Sequence, residues 1–148
     1  MANEATVVYG TAKTLESSGA AISNNNVAAA TTTYGVAADG ANYPDAQFVL
    51  SFAFATAPTE NTSLVLLARP LNIDGTADSE APENGAATFK GRFVGAFTVN
   101  NVTTTQYAAL TAYDLPREAE YYLWNNGTGQ SLSSGWTLKV TPRSYAPA

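Results

Sequence analysis

A chain of 148 residues suits one domain with a real core and is too short for two. Its net charge of −5 and its seven scattered Lys and Arg residues exclude the clustered basic surface that nucleic acid requires. With no cysteine and no histidine, disulfides, structural zinc and Ser-His or Cys-His nucleophiles are excluded, so packing, hydrogen bonds or assembly must hold the fold.

Residues 1–44 are dominated by small side chains, with NNN and AAATTT close to low complexity. Short apolar clusters at 6–9, 20–22, 27 and 34–36 predict short strands within an extended N-terminal arm. No basic, apolar signal-like stretch opens the sequence and no run is long enough to span a bilayer, so no membrane partner is expected and the product should stay in the cytoplasm that makes it. The N-x-S/T matches at Asn61, Asn101 and Asn126 are what chance gives in a chain this rich in Asn and Thr.

From residue 45 the pattern sharpens, and 45–148 reads as the sandwich core of a single domain. In AQFVLSFAF, Phe48, Leu50, Phe52 and Phe54 take every second position, which puts them on one face of a strand. TSLVLLARPL is a continuous apolar run, consistent with a strand buried on both sides or covered by a partner, and Pro70 limits it. TFKGRFVGAFTVN returns to period two, predicting Phe89, Phe93, Phe97 and Val99 on one side with Gly91 and Gly95 among them at a bend. TTQYAALTAY sets Tyr107, Ala109, Thr111 and Tyr113 against Ala108, Leu110 and Ala112.

The stretch EAEYYLWNNGTGQSLSSGWTLKV reads as two strands forming a hairpin around a polar linker. Tyr122 and Trp124 then share a face with Glu118 and Glu120, Tyr121 and Leu123 take the other, and Trp136, Leu138 and Val140 alternate inward. Aromatics beside carboxylates suit a sugar platform, but Tyr and Trp pack cores and interfaces more often. Trp136 is therefore expected inside, with Tyr122 or Trp124 nearer an interface. Strands without a helical period and without a βαβ rhythm predict an all-β, antiparallel β-sandwich or small barrel, preferably a jelly roll once the N-terminal clusters are counted, with an immunoglobulin-like sandwich as the nearest rival.

The long acidic loop NIDGTADSEAPENGA holds the candidates for chemistry. Asp74, Asp78, Glu80 and Glu83 are its carboxylates, yet no apolar neighbour in the sequence would raise a pKa for acid–base work, so no enzyme, catalytic residue or cofactor is expected. Asn72, Asp74, Asp78 and Glu80 offer oxygen ligands of the kind calcium takes, without the EF-hand register; a solvated acidic loop is the commoner meaning of such a run.

From about Tyr43 onward, YPDAQFVLSFAFATAP, LLARPLNIDGTAD, FKGRFVGAFTV, DLP, YYLWNNGTGQ and SGWTLKVTPRSYAP resemble, in that order, a family of small tailed-bacteriophage proteins. The resemblance covers about two thirds of the chain, and NNGTGQ to TLKVTP is its most distinctive part. It implies a virion component of the β-sandwich type, foremost a decoration (cement) protein on the outer capsid surface, and it brings no catalytic motif. The partners so implied are the major capsid protein and further copies of the chain itself, as a dimer or trimer about a symmetry axis. Interface residues are expected at Tyr9 and Tyr34 in the arm, at Tyr122 and Trp124, and at Asp74 and Asp78 in the acidic loop. The alternative is a tail- or fibre-associated sandwich that stacks host glycans on Tyr122 and Trp124.

Overall fold

The computed structural model describes residues 4–71, 80–85 and 90–147, and every regular element among them is a strand. In chain order these are β1 (Ala5–Tyr9), β2 (Lys13–Gly19), β3 (Val27–Ala29), β4 (Tyr34–Gly35), β5 (Asp45–Phe52), β6 (Thr62–Pro70), β7 (Arg92–Val99), β8 (Gln106–Ala112), β9 (Glu118–Asn126) and β10 (Trp136–Pro147). They form two antiparallel sheets packed face to face, a β-sandwich. In the front sheet β10 is flanked by β5 and then β8 on one side, while β2 and β1 lie end to end along its other side. In the back sheet β9 is flanked by β6 and then β7, with β3 and β4 end to end opposite. The pairings nest: β1 and β2 with β10, β3 and β4 with β9, β5 with β8, β6 with β7. That nesting is the jelly-roll topology.

Alternation sets most of the core. β5 sends Ala46, Phe48, Leu50 and Phe52 inward, and β9 sends Ala119, Tyr121, Leu123 and Asn125 inward. Trp136, Leu138 and Val140 of β10 meet them, and Trp136 Nε1–H donates to Ala20 O at 2.8 Å. A Cβ on Gly19, directly opposite, would overlap the Trp136 indole, so only glycine fits beside that ring. Fully burying each large apolar side chain contributes roughly 1.5–3 kcal/mol.

The segment 1–44 contributes more than an arm. Leu15, Ile22 and Tyr34 are fully buried in the same core as residues 45–140, and β2, β3 and β4 complete an edge of each sheet. Only β1, paired with residues 143–147 of β10, runs past the sandwich as a two-stranded ribbon, because β5 ends at Asp45 opposite Arg143.

Two further expectations are corrected by the strand geometry. β9 and β10 are not a hairpin: they belong to opposite sheets, and residues 127–135 carry the chain across the end of the sandwich. The buried Asn125 makes this corner, donating from Nδ2 to Ile22 O (2.9 Å) and Gln130 O (2.8 Å) and accepting from Thr128 Oγ1–H at 2.6 Å. In β7, a register shift opposite Leu66 and Leu67 leaves Val94 as an extra residue. The bulge reverses the side-chain parity, so Phe97 and Val99 point inward while Phe93 is turned out to solvent. Phe89 lies outside the described residues.

Candidate partner-binding face

The two outer faces of the sandwich differ in what covers them. On the back sheet, Val65 and Leu67 of β6 point outward yet are buried. Residues 80–85 cross between the β7 and β3 edges of this sheet. Pro82 comes against Gly91 at the β7 edge, while Asn84 Oδ1 accepts from Val27 N–H at 3.0 Å and Gly85 N–H donates to Asn25 O at 2.9 Å beside β3. Tyr122 and Trp124 flank Val65 and Leu67 in register and are half-buried on this face.

Polar groups there are engaged with each other. Tyr122 Oη–H donates to Glu120 Oε2 at 3.0 Å, and Arg69 Nη1 lies 3.3 Å from the same oxygen. Burial first, then the Glu120 carboxylate, raises the Tyr122 phenol above its usual range. Lys90 bridges Glu80 (2.7 Å) and Glu83 (2.9 Å), and hydrogen bonding to Lys90 lowers the Glu80 carboxyl. Two of the acidic-loop carboxylates are thus satisfied by a cation of the protein's own.

The outer face of the front sheet has no such cover among the described residues. Its outward residues lie in cross-strand rows: Tyr107, Ser51 and Thr137; Ala109, Val49 and Lys139; Thr111, Gln47 and Thr141. Tyr107 is 77% exposed, and Val7, Tyr9, Val49, Tyr113 and Tyr145 are 39–58% exposed. At the end toward the ribbon, Arg143 lies over the rings of Tyr113 (5.7 Å) and Tyr145 (5.2 Å) and donates to both hydroxyls, at 3.3 and 3.0 Å. Tyr9 is its cross-strand neighbour. The guanidinium is held as a flat plate between aromatic rings, which makes this a stiff, amphipathic surface.

The residues singled out in the sequence are therefore dispersed. Tyr9 lies on the bare face, and Tyr122 and Trp124 on the roofed one. Tyr34 is a core residue, edge-on to Tyr121 at a centroid separation of 6.5 Å, and has no exposed surface to offer a partner. Asp74 and Asp78 lie outside the described residues. Among the described residues no group of three or more acidic side chains is placed to hold a metal ion, and no helix is long and apolar enough to cross a membrane.

The residues of the bare face itself, Val49, Tyr107, Tyr113, Arg143 and Tyr145, were not singled out. Alternation groups Tyr107 with Ala109 and Thr111, but which face of a sheet stays uncovered depends on where distant loops go. Chemically, the face offers no nucleophile–base pair; it offers Thr, Ala, Tyr and Val around the cations Lys139 and Arg143, a composition suited to another protein surface.

No protein-family model matches the chain, and no curated protein matches it. A solved Bacillus structure, described as "Bacillus endospore appendages form a novel family of disulfide-linked pili", aligns over 100% of this chain and 96% of its own, at 12% identity and a TM-score of 0.33. That overlap is too loose to bear on function.

Proposed function

We propose that this chain is a structural virion component of a tailed bacteriophage, a decoration protein that docks the outer face of its front sheet on the major capsid protein and stabilises the head. The observation that carries the reading is the uncovered face itself. A surface of small, polar and aromatic side chains left open among the described residues, with Val49, Tyr107, Tyr113 and Tyr145 exposed, suits a protein–protein contact, whereas the opposite sheet is crossed by the chain's own residues 80–85. The resemblance of residues 43–148 to small phage virion proteins supplies the partner class. Because decoration needs no catalytic group, the chain's missing histidine and cysteine cost this role nothing.

The test is binding of the purified protein to capsids that lack it, compared with Tyr107→Asp and Val49→Asp. Both positions are exposed, so folding should be unchanged, while burying an unpaired carboxylate in the contact should weaken binding at least about tenfold, or roughly 1.4 kcal/mol. Equal binding by the variants, or no binding by the native protein, would sink the reading. The glycan alternative has less support: Tyr122 is tied to Glu120, and its face is crossed by residues 80–85.

A further inference from the structure

The edges of the two sheets are not equally protected. Exposed strand edges invite pairing with another chain, and folds blunt them with bulges, charges, short lengths or a covering segment. β2 carries two register shifts and is held under residues 31–33, with Thr32 N–H donating to Leu15 O at 3.1 Å. β3 and β4 are only three and two residues long. β7 has its bulge and begins at Arg92. β8 lies along β7, and its Gln106 side chain is hydrogen bonded to Asn100.

β1 has none of these devices. Its sequence, ATVVY, carries no charge, proline or glycine, and it pairs with β10 in unbroken register. Gly10 N–H donates to Pro142 O at 2.8 Å, so in this ladder Val8 and Thr6 also direct their backbone groups to β10. The N–H and C=O of Ala5, Val7 and Tyr9 consequently point away from the sheet, and no described residue pairs with them.

We infer that β1 is a strand-addition edge whose partner is β1 of a second copy of this chain, antiparallel about Val7. The edge is self-complementary in that register. Val7 meets Val7 of the second copy, and Ala5 meets its Tyr9, so the small residue faces the large one. An open depression lined by Glu4, Ala5, Tyr145, Ala146 and Pro147 lies beside Ala5, where that Tyr9 ring would rest. Glu4 falls opposite Gly10 rather than opposite its own copy, so a chain of net charge −5 meets no like charge along the seam. About six ladder hydrogen bonds form, and the two front sheets join into one with their bare faces on the same side. The inference stands on the edge alone and does not require the virion reading.

Single-cysteine crosslinking tests it cleanly, because the chain has no cysteine of its own. Directly opposed residues in such a ladder lie about 5.5 Å apart at Cα, within disulfide reach. Under mild oxidation, Val7→Cys should convert to a covalent dimer and Tyr107→Cys should not. Sedimentation should give twice the 15.4 kDa chain mass for the native protein and the single mass for Val7→Pro. That proline removes only an outward N–H and leaves the β1–β10 ladder intact. A native protein that is monomeric at every concentration, a crosslink through position 107 instead of 7, or a Val7→Pro variant that still dimerises would overturn the inference.

Discussion

The outer faces of β5 and β6 pose the same problem and receive opposite solutions. β5 alternates, with Gln47, Val49 and Ser51 turned toward solvent between Phe48, Leu50 and Phe52. β6 does not alternate: Val65 and Leu67 face outward yet are nearly as buried as Leu64 and Leu66 are in the core, on the face that residues 80–85 cross. A sheet whose outside is covered by its own chain can be apolar on both sides; one that stays polar, small and aromatic outside is kept for something else.

The sharpest way to break this contrast is to place the same charge on each face. Leu67→Lys should destabilise the fold by at least about 3 kcal/mol in denaturant unfolding, since it buries an unpaired ammonium. Val49→Lys, a comparable outward position on the bare sheet, should stay within about 0.5 kcal/mol of the native protein. Similar losses at both sites would mean that the front face is covered after all.

The edge strand β2 of the front sheet is tied by polar contacts across the side of the sandwich. Glu16 is buried and accepts from Ser17 N–H (3.0 Å), Ser18 N–H (3.1 Å), Thr31 N–H (3.1 Å) and Thr31 Oγ1–H (2.9 Å). Lys13 Nζ pairs with Asp39 at 2.8 Å and donates to Thr33 O at 2.9 Å. Burial pushes the Glu16 carboxyl up, but the hydrogen bonds from Ser18, Thr31 and Ser17 outweigh it and hold it below the usual glutamate range. Asp39 is likewise lowered, its burial outweighed by Lys13 and the Gly35 N–H.

A carboxylate lowered in the folded state stabilises above its unfolded pKa, and that contribution fades as pH falls through the folded value. Stability should therefore drop below about pH 4. Glu16→Gln should cost about 1–3 kcal/mol at neutral pH and flatten that acid limb, as read from unfolding curves across pH. An unaltered acid limb would remove Glu16 from this role.

The smallest effect is expected in the interior that the two faces share. The Tyr34 and Tyr121 hydroxyls are buried without a hydrogen-bond partner among the described residues. Burial, then the Asp39 charge, pushes the Tyr34 phenol up to about 12, and burial raises Tyr121 as well. Tyr121→Phe should accordingly be neutral or stabilising, by no more than about 1 kcal/mol, because it removes a desolvated hydroxyl and keeps the ring. A clear loss of stability would reveal a partner for that hydroxyl.

Much of the fold was legible wherever inward side chains repeat. Phe48, Leu50 and Phe52, the pair Tyr121 and Leu123, and Trp136 were placed by period alone, and the unbroken run of β6 pointed to its cover. Other features have no local signature. The bulge at Val94 turns on one extra residue that leaves the composition of β7 unchanged while sending Phe93 outward. β3 and β4 are too short to show a period, and the register shifts of β2 break its own, which hid Leu15 and Tyr34 as core residues. NNGTGQ reads like a hairpin turn because the Asn125 corner uses the same polar residue types. The candidate face was hidden for a further reason: alternation shows that Tyr107 and Val49 point outward, but which outer face a loop such as residues 80–85 crosses is set by contacts distant in sequence.

Cryo-EM of the intact particle, with density assigned to this chain and its copies counted, decides whether the bare face is a capsid contact. Many copies should be spread over the shell, each with Val49, Tyr107 and the Tyr113–Arg143–Tyr145 cluster against the major capsid protein. Copies confined to the tail or a vertex, or seated on the shell by the roofed face of Tyr122 and Trp124, would contradict it.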